Sequence, residues 1–215
     1  MIAIDGPAAS GKSSTALHVA RALGILHADS GALYRAATLA RIRAGGPPPP
    51  WSEQSVLDAA QAVSVASEAS RFEPCIGGVR VAGDLHSPAV TAHVSAVAKM
   101  PRVREWVNAH MRSCAARGAI VVDGRDMGTA VFPEAQLKVF LDAHPTERAR
   151  RRSFQNLERA PTDEELAAEA RALSTRDEKD ATQTRQAPDA IVIDTTHVTQ
   201  AEQVSQIVAL AKKMR

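Results

Sequence analysis

Aromatic side chains are scarce in this chain: four Phe, two Trp and one Tyr among 215 residues, or 3%. Sandwiches and barrels lean on rings and β-branched residues to fill their interiors, so the abundant alanine favours helices with modest side chains instead. Cysteine is scarcer still. Cys75 and Cys114 stand far apart with no Cys-x-x-Cys spacing, which argues against a disulfide framework and leaves a metal site short of ligands. Both read as buried or half-buried free thiols in a reducing compartment. No apolar run approaches the roughly 20 residues needed to cross a bilayer, so no membrane span is expected. No basic region precedes the opening apolar stretch, which Asp5 interrupts, so no export signal is expected and the cytoplasm is the expected location. The net charge of +2 is too small to suggest a nucleic-acid binder by itself.

What the chain does have is alternation. Ile2-Ala3-Ile4, Ala119-Ile120-Val121-Val122, Leu137-Lys138-Val139-Phe140-Leu141 and Ala190-Ile191-Val192-Ile193 are nearly continuous apolar runs, as strands buried on both faces should be. A shorter strand near Leu26-His27-Ala28 makes five. Helical patterns lie between them, so the economical fold class is α/β, with a parallel five-stranded sheet flanked by helices. Gly24 and Gly118 stand where helices should stop, and Pro101 where one should start. In that helix Val103, Val107, His110, Met111 and Cys114 share a face, with His110 at its edge. Thr162 with Glu165, and Thr199 with Glu202, match capping boxes. The second box opens a terminal helix whose Val204, Ile207, Val208 and Ala211 should face the core.

Two regions interrupt the pattern. The four prolines at 47–50 require an extended connector, read as a stiff surface loop ahead of a partner ligand. Across residues 62–94 short β-like pieces surround Gly77-Gly78, a hairpin signal, so a small antiparallel insert is expected there.

Gly6-Pro7-Ala8-Ala9-Ser10-Gly11-Lys12-Ser13 fits G-x-x-x-x-G-K-[ST] at every defined position, after an apolar strand and before a helix. Such a loop turns backbone N–H groups toward a phosphate, and the helix that follows adds its N-terminal partial charge. Residues 6–14, ending at Ser14, are the expected ATP site, with Lys12 on the β- and γ-phosphates and Ser13 on Mg²⁺. Asp123, at a strand end, either holds a magnesium-bound water or caps Gly124-Arg125 locally. Alone, the loop says only that a nucleoside triphosphate binds.

The acceptor must come from elsewhere. Asp29-Ser30-Gly31-Ala32-Leu33-Tyr34-Arg35 feeds a helix, and Asp123-Gly124-Arg125-Asp126-Met127-Gly128-Thr129 follows a strand. Ligands of α/β sheets bind at strand C-terminal ends, so both segments are expected to face the phosphate loop across one cleft. Arg125-Asp126 could also be a surface ion pair, and Arg176 with Asp180 an ordinary i,i+4 helix pair.

IDGPAASGKSS, ADSGALYRAATLA, MPRVREWV, VVDGRDMGTAVFPEAQLKVFLDAHPTERARRR, STRDEKDAT and IDTT together resemble the bacterial cytidylate kinases along nearly the whole chain. The resemblance implies a P-loop NTPase-type core with a helical lid, ATP and CMP or dCMP as the partners, and transfer of the ATP γ-phosphoryl group to CMP or dCMP. It implies that Ser95, Arg104 and Asp126 read the cytosine edge, that Arg35 and Arg125 hold the acceptor phosphate, and that Arg176 and Asp180 bind its sugar and phosphate. Ser30, Tyr34 and Gly124 complete the implied CMP site. The implied organisation is a nucleotide-binding core at 1–34, 101–150 and 182–215, a monophosphate-binding region at 35–100, and a lid at 151–181. Neither nucleic acid nor membrane is an expected partner, and a monomer is expected.

A monophosphate has a second pKa of about 6, so its attacking oxygen is already ionised at neutral pH and needs no base. Catalysis should come from alignment and charge neutralisation by Lys12, Arg125 and a lid arginine. Arg148, Arg151 and Arg152 share a helix face ahead of the mobile-looking stretch 155–163; the sequence does not choose among them, and Arg151 is taken as the catalytic candidate. A solvated charge run or RNA contact is the competing meaning. The family usually carries arginine where this chain has Gln183, and Arg185 lies two residues beyond; the stretch 188–194 is also shorter than usual. A kinase for another monophosphate and a non-catalytic nucleotide-binding regulator are the alternative functions.

Overall fold

The computed structural model describes residues 1–157 and 159–214, and their architecture is α/β, with mostly parallel strands flanked by helices. The chain divides into two units, one of residues 1–23 and 121–215, the other of residues 24–120.

In the first unit β1 (Ile2–Asp5) pairs in parallel with β6 (Ile120–Gly124) on one side and β7 (Leu137–Asp142) on the other; β7 in turn pairs with β8 (Ile191–Asp194). Every residue of β1 and β6 is buried, which explains why these runs carry no alternation. The loop at 6–11 leads from β1 into α1 (Lys12–Leu23), which ends at Gly24 with φ +65°, the left-handed stop that glycine adopts without strain. Helices α6 (Pro145–Leu157), α7 (Asp163–Asp180) and α8 (Gln200–Lys213) complete the unit. Both expected capping boxes close, at Thr162–Glu165 and Thr199–Glu202. Ile207 is fully buried, and Val204, Val208 and Ala211 are half-buried beside it.

One strand departs from expectation. β8 is a β7 neighbour on one side only, and only Ile193 is buried, while Val192 is 51% exposed. An apolar run reads the same whether a strand is central or at an edge; pairing decides, and the sequence does not state it.

The second unit holds α2 (Ser30–Arg43) and α3 (Glu53–Ala60), capped by Asp29 and Ser52 through their side chains. β3 (Val63–Glu68), β4 (Arg71–Ile76) and β5 (Val79–Arg80) pair antiparallel. Gly77 and Gly78, with φ +58° and +80°, turn β4 into β5. β4 also meets β2 (Leu26–Asp29) in parallel, at His27 and Arg71. The expected insert at 62–94 therefore stops earlier: α4 (Pro88–Val97) begins inside it, with Val90, Val94 and Val97 buried. Valines at 3.6-residue spacing, started by Pro88, outweigh their β preference. Helix α5 (Pro101–Ala115) buries Val103, Val107, Met111 and Cys114, with His110 half-buried at the edge as expected. Ala36, Leu39, Ala40, Val63, Val81, Leu85 and Val90 form the core here. Cys75 and Cys114 are both free and buried, and burial pushes the Cys114 thiol up to about 11.

The contrast within β8 is measurable. Ile193→Ala should cost about 2–4 kcal/mol in urea unfolding, and Val192→Thr no more than about 0.5 kcal/mol.

Candidate active site

The phosphate loop is anchored at its root. Gly6 has φ +156°, and a Cβ there would lie 2.2 Å from the Leu141 carbonyl oxygen, so no side chain fits. Gly11 has φ +88° and Ala9 φ +58°, a left-handed conformation that costs a non-glycine residue about 1 kcal/mol or more. Three consecutive loop carbonyls accept hydrogen bonds from cations. Arg125 Nη1 donates to Gly6 O at 2.7 Å, Lys12 Nζ to Pro7 O at 3.0 Å and Arg148 Nη1 to Ala8 O at 3.0 Å. With its acceptors so engaged, the loop is left with N–H groups to offer an anion.

Beside the loop, Ser13 Oγ donates to Asp123 Oδ2 at 2.5 Å, and Asp123 is wholly buried at the end of β6. A hydroxyl and a carboxylate are hard oxygen donors of the kind Mg²⁺ prefers, so this pair fits that ion. The Asp123 side chain thus faces Ser13.

Asp5 had no assigned role, yet it organises the neighbouring segment. Its carboxylate accepts from Met127 N and Gly128 N, both at 2.8 Å, and so holds the single π-helical turn Met127–Val131 that carries Asp126 at its start. A Cβ on Gly128 would press to 3.3 Å from both Asp5 Oδ2 and the Lys138 side chain, which explains the glycine. Burial raises the Asp5 carboxyl to about 6, helped by Asp126 and opposed by the two amides and Lys12. The available signal was an acidic residue closing a buried strand, the pattern shared with Asp123.

Arg125, Arg176 and Asp180 come together. Arg125 Nη2 donates to Asp180 Oδ2 at 3.1 Å, and Arg176 Nε lies 3.6 Å from the same oxygen, buried with no hydrogen-bond partner. Burial draws the Arg125 guanidinium below its ordinary value; Arg176 adds to that effect and Asp180 opposes it. Two guanidiniums on one carboxylate leave excess positive charge in a poorly solvated place, which is the requirement of an anion site. The helix pair Arg176–Asp180 exists, but its carboxylate is shared. Arg185 N donates to the Arg125 carbonyl at 3.2 Å and its own Nε to Thr182 O at 3.1 Å, while Gln183 N caps Asp180 O.

The three arginines expected on one face of α6 separate by environment. Arg148 is buried on Ala8 O, Ala143 O and Asp177. Arg151 donates to Glu147, Thr195 Oγ1 and Thr195 O, and Arg152 to Gln155. An open cavity of about 490 Å³ adjoins the loop, lined by Gly11, Ser14, Arg151, Thr196, His197 and Gln203 among others. Of these, His197 and Gln203 lie after the last strand in no phosphate motif, so the sequence did not point to them. The stretch 155–163 includes Glu158, which lies outside the described residues.

The remaining predicted residues belong to the second unit. Arg104 stacks its guanidinium 5.9 Å from the Tyr34 ring centre and donates to Ala98 O at 3.2 Å. Arg35 is buried, with Nη1 donating to Leu85 O and Thr91 Oγ1 at 3.1 and 3.2 Å. Ser30 opens α2 and is buried; Ser95 is half-buried on α4.

A family model described as cytidylate kinase matches residues 2–213. The chain is similar to a cytidylate kinase of Limosilactobacillus reuteri, 41% identical over 218 residues with 99% of this chain and 95% of the relative covered. A cytidylate kinase of Thermus thermophilus is 43% identical over 211 residues, covering 97% of each. One from Mycolicibacterium paratuberculosis is 40% identical over 222 residues, covering 99% and 95%.

The raised Asp5 value carries a pH signature. A carboxyl whose folded value exceeds its unfolded one stabilises the fold below the unfolded value, and that contribution is lost as pH rises through about 6. Against Asp5→Asn, wild type should lose about 1–3 kcal/mol of unfolding free energy between pH 4 and 7. Parallel urea titrations would expose the drift; a flat difference would contradict it.

Proposed function

Because the chain belongs to the cytidylate kinase family and is a CMP/dCMP kinase, we propose that ATP gives up its γ-phosphoryl group between Lys12 and Arg125. The loop at 6–14 takes the donor phosphates, and Arg151, which lines the cavity beside it, is the lid arginine that joins Lys12 and Arg125 in catalysis. Arg35, Arg125, Arg176 and Asp180 take the acceptor phosphate and sugar, together with Ser30, Tyr34 and Gly124. Cytosine presents an N4 donor and N3 and O2 acceptors; Asp126 suits the donor, and Arg104 and Ser95 suit the acceptors.

The observation that carries this reading is Arg125, bonded at once to the Gly6 carbonyl and to Asp180. An arginine held there touches the donor loop and shares a carboxylate with Arg176, so it can neutralise charge on the group in flight. The CMP phosphate oxygen, with a pKa of about 6, attacks without a base. Ser13, and Asp123 through a water, would hold Mg²⁺, which supplies charge neutralisation at the β- and γ-phosphates when bound. The pair α6–α7, over residues 151–181, serves as the lid that keeps water from the γ-phosphate. The core comprises 1–34, 101–150 and 182–215, and residues 35–100 form the monophosphate-binding region. The protein works as a monomer in the cytoplasm on ATP and CMP or dCMP; no described helix is long and apolar enough to cross a membrane.

ADP release measured with CMP, dCMP, UMP, AMP and shikimate tests the acceptor. CMP and dCMP should turn over fastest; rapid UMP turnover with none on CMP would sink the assignment. Arg125→Ala should lower kcat by about 100-fold or more while MgATP affinity stays within about threefold, since β1 and Leu141 still root Gly6.

A further inference from the structure

Helix α7 carries two carboxylates one turn apart, and each secures a different arginine to a different carbonyl of the phosphate loop. Asp180 accepts from Arg125, whose other nitrogen donates to Gly6 O at 2.7 Å. Asp177 accepts from Arg148 Nη1 at 2.6 Å, and that same nitrogen donates to Ala8 O at 3.0 Å. The two arrangements look alike but act in opposite directions. Gly6 is rooted by β1 and by its close approach to Leu141, so at this contact the loop fixes the arginine. Ala8 is at the loop's apex, next to the strained Ala9. What supports it is the apolar cluster with Ala149 and Leu173, and the Arg148 bond. There the arginine fixes the loop.

Arg148 is poorly placed to seek a ligand. Its side chain is 9% exposed and its Nε is spent on Ala143 O at 3.2 Å. Its charge is compensated by Asp177. Neutralising Asp177 would leave a buried guanidinium without a counter-charge, which would favour its withdrawal toward water and remove the donor from Ala8 O. Asp177 also exerts a weaker pull on Arg125, the smallest of the influences on that group.

We propose that Asp177 is a positioning residue for the donor nucleotide: acting through Arg148, it sets the apex of the loop that receives the triphosphate. Asp180, through Arg125, serves the acceptor, so one face of α7 adjusts the two substrates through separate carboxylates. This rests on the phosphoryl-transfer reading above and assigns Asp177 a part in it.

Calorimetric binding of MgATP and of CMP, each alone, to wild type, Asp177→Asn and Asp180→Asn tests the division, with KM values for both substrates alongside. Asp177→Asn should weaken MgATP binding about tenfold and CMP binding less than about threefold, as expected for breaking one network and sparing another. Asp180→Asn should show the reverse, and Asp177→Glu should recover part of the MgATP affinity. Should Asp177→Asn fold poorly, Arg148→Met, which removes the donor to Ala8 O, should give the same split. Equal weakening of both ligands, or unchanged MgATP affinity, would overturn the proposal. Wild type that fails to phosphorylate CMP would defeat the reading of function, while the MgATP comparison would still decide the role of Asp177.

Discussion

Everything at this site hangs on the fit of Gly6 against the end of β7. A side chain there would meet the Leu141 carbonyl at 2.2 Å, so backbone touches backbone, and the loop leaves β1 in a direction set by the sheet itself. β1 is buried over its whole length between β6 and β7, which makes this root rigid. From it follow the course of the loop, the start of α1 at Lys12, and the place where Arg125 can find a carbonyl to hold.

Around that root the protein gathers cations. Lys12, Arg125 and Arg148 all donate to loop carbonyls, so their charge is brought close without filling the space where N–H groups are needed. Carboxylates then limit the repulsion: Asp180 is shared by Arg125 and Arg176, and Asp177 serves Arg148. Compensation is incomplete on purpose of function, since an arginine fully satisfied by protein has little to offer a phosphate. Asp5 stands apart from this economy; its carboxyl is held by amides, and its task is to shape the turn after Arg125.

Much of this could be read from residues in order. The loop motif located Lys12 and Ser13, and glycine and proline punctuation located the ends of α1 and α5, because these signals are local and each rests on backbone geometry. Legibility failed where the deciding fact was non-local. β8 looks like a central strand in sequence, and only its pairing makes it an edge. Helix α4 hid among valines that favour strands. Asp5 and Asp177 sit within segments that carry the resemblance, yet no role attached to them there, since their importance comes from which amide or arginine the fold delivers to them. The sorting of Arg148 from Arg151 and Arg152 had the same origin: three arginines on one helix differ only in what lies opposite.

The crowding of positive charge has a consequence for how the protein persists. Arg125 and Arg176 repel one another over the one carboxylate they share, and Ala9 adds backbone strain. A bound polyphosphate relieves the repulsion, so it acts as a structural member as well as a reactant. Mass action at about 100 times the dissociation constant adds about 2.7 kcal/mol to folding stability. The molecule's resistance to heat and to proteases would then follow the supply of nucleotide around it. In starved cells that have drained their triphosphates, the same chain would be more quickly lost.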